Sequence, residues 1–270
     1  MDIINYIIIG VLQGIIEWLP ISSQGNIIIY LSNVIGITTE LAFNYSIFLH
    51  FGTVIAAIVY FRKYLAKLLR FNIIKEFLNN PIKYKENKEH SNLLRFIIIA
   101  VIFTLVISTP LYFLFGTILS DLNVSLVNLL IGVLLIVTGF ILLFPRFIKK
   151  RVSKLSTKNS IILGLFQGLS ILPGLSRSGL TTSVLLFEGF SPEKAFEISF
   201  LLSIPTIIVG EVGILIFSGF NFTPMIFISI LVAFIVGYFT IDLLIRFARR
   251  INFSYFCFIL GIIYILIYLV

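Results

Sequence analysis

The chain has 270 residues, of which 59% are hydrophobic and 12% charged, with a mean hydropathy of +1.11. A soluble domain carries roughly a quarter of its residues charged, and disorder requires low hydrophobicity, so both are excluded. The formal charge of +8 is then read as cytoplasmic loops meeting acidic lipid headgroups, with no nucleic acid as partner.

The N-terminal MDIINYIIIG lacks a basic leader, so no cleavable signal peptide is expected. The apolar stretch 5–30 is interrupted by Pro20, Ser22, Ser23 and Gly25, and each half is too short for the roughly 20 residues that span a bilayer. Broken backbone at membrane depth is tolerated only where it is buried in protein or lines a cavity, so 5–30 is predicted to be a re-entrant helix–loop–helix hairpin. Full spans are predicted at 42–61, 94–116 and 124–144. The stretch 161–187, broken at Pro173 and Gly174, is predicted to be a second hairpin, followed by spans at 195–217, 224–245 and 252–270. The predicted fold class is an all-α integral membrane protein with six full transmembrane helices and two re-entrant hairpins.

Eighteen of the 20 basic residues fall in three stretches, 62–95, 146–158 and 246–250, while the short outer connections 116–123 and 218–223 contain no Lys or Arg. The positive-inside rule puts the three stretches in the cytoplasm. The first hairpin then dips in from outside, the second from inside, and both termini lie outside. The 62–95 loop has the pattern of a basic amphipathic surface helix. Cys257 is the single cysteine, which excludes a disulfide framework, a zinc cluster and an iron–sulfur site.

The two hairpins repeat each other. Gly10-Val-Leu-Gln13-Gly14 matches Gly164-Leu-Phe-Gln167-Gly168 at an offset of 154, as do Ser22 with Ser176 and Gly25 with Gly179. Ala42, Phe43, Ser46, Leu49 and Thr53 match Ala195, Phe196, Ser199, Leu202 and Thr206 at 153. The chain is read as a single membrane domain over 1–270, with one repeat over about 1–145 and a second over about 159–270. Three full spans per half make the repeat inverted, an architecture that places its site near the midplane at the broken helices.

Gln13 and Glu17 are four residues apart and share a helix face. A carboxylate inside a membrane marks a functional site by default, the bland alternative being a snorkelling interfacial residue. In the second hairpin, Pro173-Gly174-Leu175-Ser176-Arg177-Ser178-Gly179 puts a basic residue between Ser and Gly at the start of a helix. Helix-start N–H groups and a guanidinium fork suit phosphate; pairing of Arg177 with a carboxylate such as Glu17 is the other reading. His50 lies mid-span and is equally readable as a packing or a catalytic residue. Glu211 and Asp242 are read as interfacial, near span ends, and Glu188, Glu193 and Glu197 as lying near a loop.

At these motifs the chain resembles the undecaprenyl-diphosphate phosphatase family associated with bacitracin resistance. That family carries (Glu/Gln)-x-x-x-Glu running into Pro-x-Ser-Ser-x-Gly-His, and Pro-Gly-x-Ser-Arg-Ser-Gly. Here the first motif is Gln13 to Glu17 with Pro20, Ser22, Ser23 and Gly25, and the second is complete from Pro173 to Gly179. The resemblance implies hydrolysis of a polyprenyl diphosphate to the monophosphate at the outer face of the plasma membrane, recycling a lipid carrier for cell-wall or surface-glycan synthesis. It implies catalytic roles for Glu17, Ser23 and Arg177, and substrate contacts from Gln13, Ser22, Asn26, Gly174, Ser176, Ser178 and Gly179. It also implies a divalent cation, Mg or Ca, with Glu17 as ligand, and no organic cofactor; a homodimer is compatible with it.

The chain departs from the family pattern in ending its first motif on Asn26 rather than His. Asn can neither form a phospho-intermediate nor shuttle a proton. Chemistry then runs through Ser23 or water with Glu17 as base, or His50 substitutes, or the lipid is bound without efficient hydrolysis. The competing functional readings are a transporter or flippase of polyprenyl phosphate built on the same repeat, and a non-catalytic lipid-binding scaffold.

Overall fold

The computed structural model describes residues 1–84, 88–144, 154–218, 223–247 and 252–269. Parts of the predicted basic loops (85–87, 146–153 and 248–250), most of the outer connection 218–223 and Val270 lie outside the described residues. Among the described residues the chain is helical, with α1 (Ile3–Ile16), α2 (Ser23–Ile29), α3 (Thr39–Leu68), α4 (Phe71–Asn79), α5 (Glu89–Asp121), α6 (Val124–Leu143), α7 (Thr157–Gly168), α8 (Arg177–Phe187), α9 (Pro192–Ser218), α10 (Ile226–Phe247) and α11 (Phe253–Leu269).

Five helices, α3, α5, α6, α9 and α10, are long and apolar enough to cross a membrane. The sixth predicted span, α11, has 17 described residues. At 1.5 Å per residue that is about 26 Å, at the lower end of the roughly 17–25 residues with which a helix spans a bilayer. Helices α3 and α5 overrun the predicted spans 42–61 and 94–116 by a turn or more because backbone hydrogen bonding continues beyond the apolar window, whereas α6, α9 and α10 stay within three residues of theirs. The paired helices α1 and α2, and α7 and α8, have 14, 7, 12 and 11 residues. None of the four is longer than about 21 Å.

Packing separates inner from outer helices. Of the apolar window in α3, 67% is buried, and in α9, 56%; in α5 and α10 the figures are 22% and 28%. The exposed faces of α5 and α10 carry Ile102, Val106, Leu231 and Phe239, apolar surface that only a bilayer covers without penalty. The chain is therefore an all-helical membrane protein. The two halves interlock: α1 lies along α10, α7 lies along α5, and α6 lies along α11. At the α6–α11 crossing Gly132 and Gly261 face each other; a Cβ on Gly132 would sit 2.8 Å from the Gly261 carbonyl oxygen, and one on Gly261 2.7 Å from that of Gly132.

The short helix α4 carries exposed Phe71 and Leu78. It is tied down by Arg95, which was counted above among the loop charges but is fully buried. Its Nε donates to the Asn80 carbonyl at 2.6 Å and its Nη2 to the Glu76 carbonyl at 3.1 Å. A guanidinium thus satisfies carbonyls that the end of α4 leaves without intrahelical partners.

Candidate active site

The breaks in the two short-helix pairs bring their tips together. α1 ends at Ile16, ahead of Pro20, and the chain re-enters helix at Ser23. Ser22, the N-cap of α2, has a positive φ of 58°, a conformation costly for a non-glycine residue. Its Oγ accepts from the Gly25 N–H at 3.3 Å and from the Gly174 N–H of the other tip at 3.0 Å. The second tip turns at Gly174, with φ 108°; a Cβ there would lie 2.7 Å from the Ile131 carbonyl oxygen of α6, so only glycine fits. Ser176 caps α8 as Ser22 caps α2, accepting from Gly179 N–H at 3.2 Å. Thr138 of α6 donates to the Gly174 carbonyl at 3.1 Å, and Ser178 donates to the Leu19 carbonyl at 3.0 Å.

A polar cluster forms where the tips meet. Glu17 is buried just after α1. Its Oε1 pairs with Arg177 Nη2 from the start of α8. Its Oε2 accepts from Ser23 Oγ at 2.6 Å and Gln13 Nε2 at 3.0 Å, and lies 3.2 Å from His50 Nε2 of α3. The other guanidinium nitrogen, Arg177 Nη1, is buried with no hydrogen-bond partner among the described residues. These groups open onto a cavity of about 140 Å³, many times the space one water needs. Its remaining wall comes from Thr104, Leu105 and Ser108 of α5, Gln167 and Ser170 at the end of α7, and Thr206, Ile207 and Glu211 of α9. Gln167 Nε2 donates to Thr104 and Thr206 hydroxyls, both at 2.9 Å, leaving its Oε1 buried and unpaired.

Of the predicted site residues, Glu17, Ser22, Ser23, Ser176, Arg177 and Ser178 line the cavity. Gln13 stands behind Glu17, bonded to it and, at 3.4 Å, to Thr53. Gly174 and Gly179 shape the second tip. Asn26, expected at the phosphate, points elsewhere. Its Nδ2 donates to the Ile21 and Ser22 carbonyls at 2.9 and 2.8 Å, and its Oδ1 accepts from Tyr264 of α11, so both ends of the amide are occupied by the protein. His50 lines the cavity.

Glu211 and Gln167 are additions that sequence reasoning missed. Glu211 was read as interfacial, yet it is buried, and α9 runs on to Ser218. The available signal was a lone carboxylate within an apolar run. For Gln167 it was the match to Gln13.

The residues present do not fit a divalent cation held by the protein. Oε2 of Glu17 is saturated by donors, and Oε1 faces a guanidinium whose charge repels a cation. Among the described residues no group of three or more His, Cys, Asp or Glu side chains is arranged to hold a metal ion.

A family model described as bacitracin resistance protein BacA matches residues 6–263. The chain is 37% identical over 269 residues to an undecaprenyl-diphosphatase of Methanothrix thermoacetophila, covering 97% of this chain and 96% of that protein. It is 35% identical over 271 residues to an undecaprenyl-diphosphatase of Sulfurisphaera tokodaii, covering 97% and 95%, and 33% identical over 258 residues to one of Haloarcula marismortui, covering 94% and 93%.

Proposed function

The chain belongs to the bacitracin resistance protein BacA family, and on that premise we propose that it is an integral membrane phosphatase that hydrolyses undecaprenyl diphosphate to undecaprenyl phosphate and inorganic phosphate. The observation that carries the reading is the state of Arg177. Its Nη2 holds Glu17, and its Nη1 is buried with no hydrogen-bond partner among the described residues, while the side chain lines the cavity together with Ser23. A buried donor left open is costly unless a ligand completes it, and a guanidinium is shaped for phosphoryl oxygens.

Arg177 and the first turn of α8 neutralise the diphosphate and stabilise the charge spread over the transferring phosphoryl group. Ser23 Oγ attacks the terminal phosphorus. Its proton passes to Glu17 Oε2 along the 2.6 Å hydrogen bond as the O–P bond forms and the bond to undecaprenyl phosphate breaks. Water then displaces the phosphoryl group from Ser23, and Glu17 returns the proton to Ser23. Gln13 orients Glu17 from behind. The prenyl chain leaves the cavity past Leu105 and Ile207, between α5 and α9, into lipid.

The same reading makes α1–α2 and α7–α8 re-entrant hairpins of an inverted repeat whose site opens to the outer face of the plasma membrane. Their short lengths, the matching serine caps at Ser22 and Ser176, and the reciprocal packing of α1 on α10 and α7 on α5 support it. Incubating the purified protein with undecaprenyl diphosphate in detergent, where no transport takes place, tests the function. Release of one phosphate per lipid is expected; no release would leave a carrier or scaffold.

A further inference from the structure

His50 is held between two buried carboxylates on different elements. Its Nε2 is 3.2 Å from Glu17 Oε2, and its Nδ1 is 3.5 Å from Glu211 Oε1. Nδ1 is also 2.9 Å from the Ile47 carbonyl oxygen. A carbonyl only accepts, so Nδ1 carries a hydrogen, and Glu211 offers a second acceptor on the same edge of the ring. That leaves Nε2 facing a carboxylate oxygen, a contact that needs one hydrogen between the two atoms. The oxygen concerned is the one to which Ser23 donates, so His50 stands two hydrogen-bond lengths from the attacking hydroxyl. The reaction as derived above uses neither His50 nor Glu211, although both line the cavity. Glu211 is buried, and its Oε2 has no hydrogen-bond partner among the described residues.

We propose that His50 is the acid–base group that serves the departing lipid phosphate and the attacking water, beside Glu17 as the base for Ser23, and that Glu211 is the residue that positions it. The proposal rests on the hydrolase reading. In the first step Ser23 gives its proton to Glu17, and His50 Nε2–H gives its proton to the bridging oxygen of the departing undecaprenyl phosphate. In the second step the neutral ring takes a proton from the attacking water, whose oxygen bonds to phosphorus. The Ser23 Oγ–P bond breaks, and Glu17 returns its proton to Ser23. The ring ends as it began, and one water is consumed per phosphate released. Glu211 keeps Nδ1–H in place and offsets the charge of the doubly protonated ring, as a carboxylate does for a catalytic imidazole elsewhere. The charged and titratable groups lining the cavity around His50 are Glu17, Arg177 and Glu211.

The test is steady-state phosphate release by wild type, His50→Gln and Glu211→Gln in detergent across about pH 5 to 8, with substrate binding and thermal melting measured in parallel. The expected result for His50→Gln is a fall in kcat of about 100-fold or more, KM within about threefold, and a flattened pH profile. For Glu211→Gln it is a fall in kcat of about tenfold, unchanged KM and a displaced pH profile. A His50→Gln protein working at the wild-type kcat would overturn the assignment. So would variants that lose melting temperature and binding together while keeping the wild-type pH profile, because that marks a structural role. A wild type that releases no phosphate would instead sink the hydrolase reading on which the proposal rests.

Discussion

Arg177 and Glu17, 160 residues apart in sequence, are joined through Nη2 of the guanidinium, while Nη1 of the same group is buried with no hydrogen-bond partner among the described residues. The pair ties the two tips together and still leaves a donor for a ligand. Arg177→Lys keeps the charge but removes the fork, so one ammonium has to serve both Glu17 and phosphate. The expected outcome is a fall in kcat/KM of about 100-fold, roughly the worth of one charge-assisted hydrogen bond. Steady-state phosphate release measures it; a variant within twofold of wild type would remove Arg177 from substrate binding.

The neighbouring serines separate chemistry from scaffold. Ser23→Ala removes the hydroxyl bonded to Glu17, so turnover falls to background while the melting temperature holds. Ser22→Ala removes the oxygen shared by the Gly25 and Gly174 N–H groups. The lost cap and the newly unsatisfied donor cost about 1–3 kcal/mol, read as a lower melting temperature in detergent. The reverse pattern would exchange their roles.

Gly174→Ala tests the second tip. The positive φ and the clash of a new Cβ with the Ile131 carbonyl oxygen act together, so a loss of about 1–3 kcal/mol is expected from strain alone. Activity falls with it, because Gly174 N–H is the bond that locks this tip to Ser22. An alanine variant with wild-type melting and turnover would contradict the packing described.

Glu188, half-buried at the end of α8, gives a pH-dependent stability. Burial pushes its carboxyl from 4.5 up to about 7. The folded chain therefore holds this proton up to about pH 7, whereas the unfolded chain releases it near 4.5. The native state binds more protons in that window, so this contribution is present below 4.5 and is lost as pH rises through 7. Glu188→Gln should melt above wild type at about pH 8, with the gap closing toward the acid end. Thermal melts at several pH values check it, and parallel curves at every pH would refute it.

Much of the site was legible because its residues break local rules. Pro20, Pro173 and Gly174 interrupt apolar runs, and Glu17 and Arg177 stand isolated in them, so burial cost alone marked them. The matching caps followed from the offset between Ser22–Gly25 and Ser176–Gly179. What stayed hidden depends on partners distant in sequence. Asn26 is turned by Tyr264, 238 residues away. Glu211 resembled an interfacial residue because hydropathy locates it along the membrane normal but not around the helix axis. Arg95 counted as a loop charge because nothing in its spacing reveals that α4 folds back over it. Of the six expected spans, five reach crossing length among the described residues, and α11 is apolar over its 17 described residues.

The most direct measurement compares wild type with Glu17→Gln. The substitution keeps the size and burial of the side chain but removes the base for Ser23 and the charge that holds Arg177. Purified protein in detergent is mixed with undecaprenyl diphosphate, and released phosphate is counted against lipid. The account predicts one phosphate per lipid from wild type and a rate at least about 1,000-fold lower from Glu17→Gln, within the range of a lost general base. Equal rates from the two proteins would contradict it.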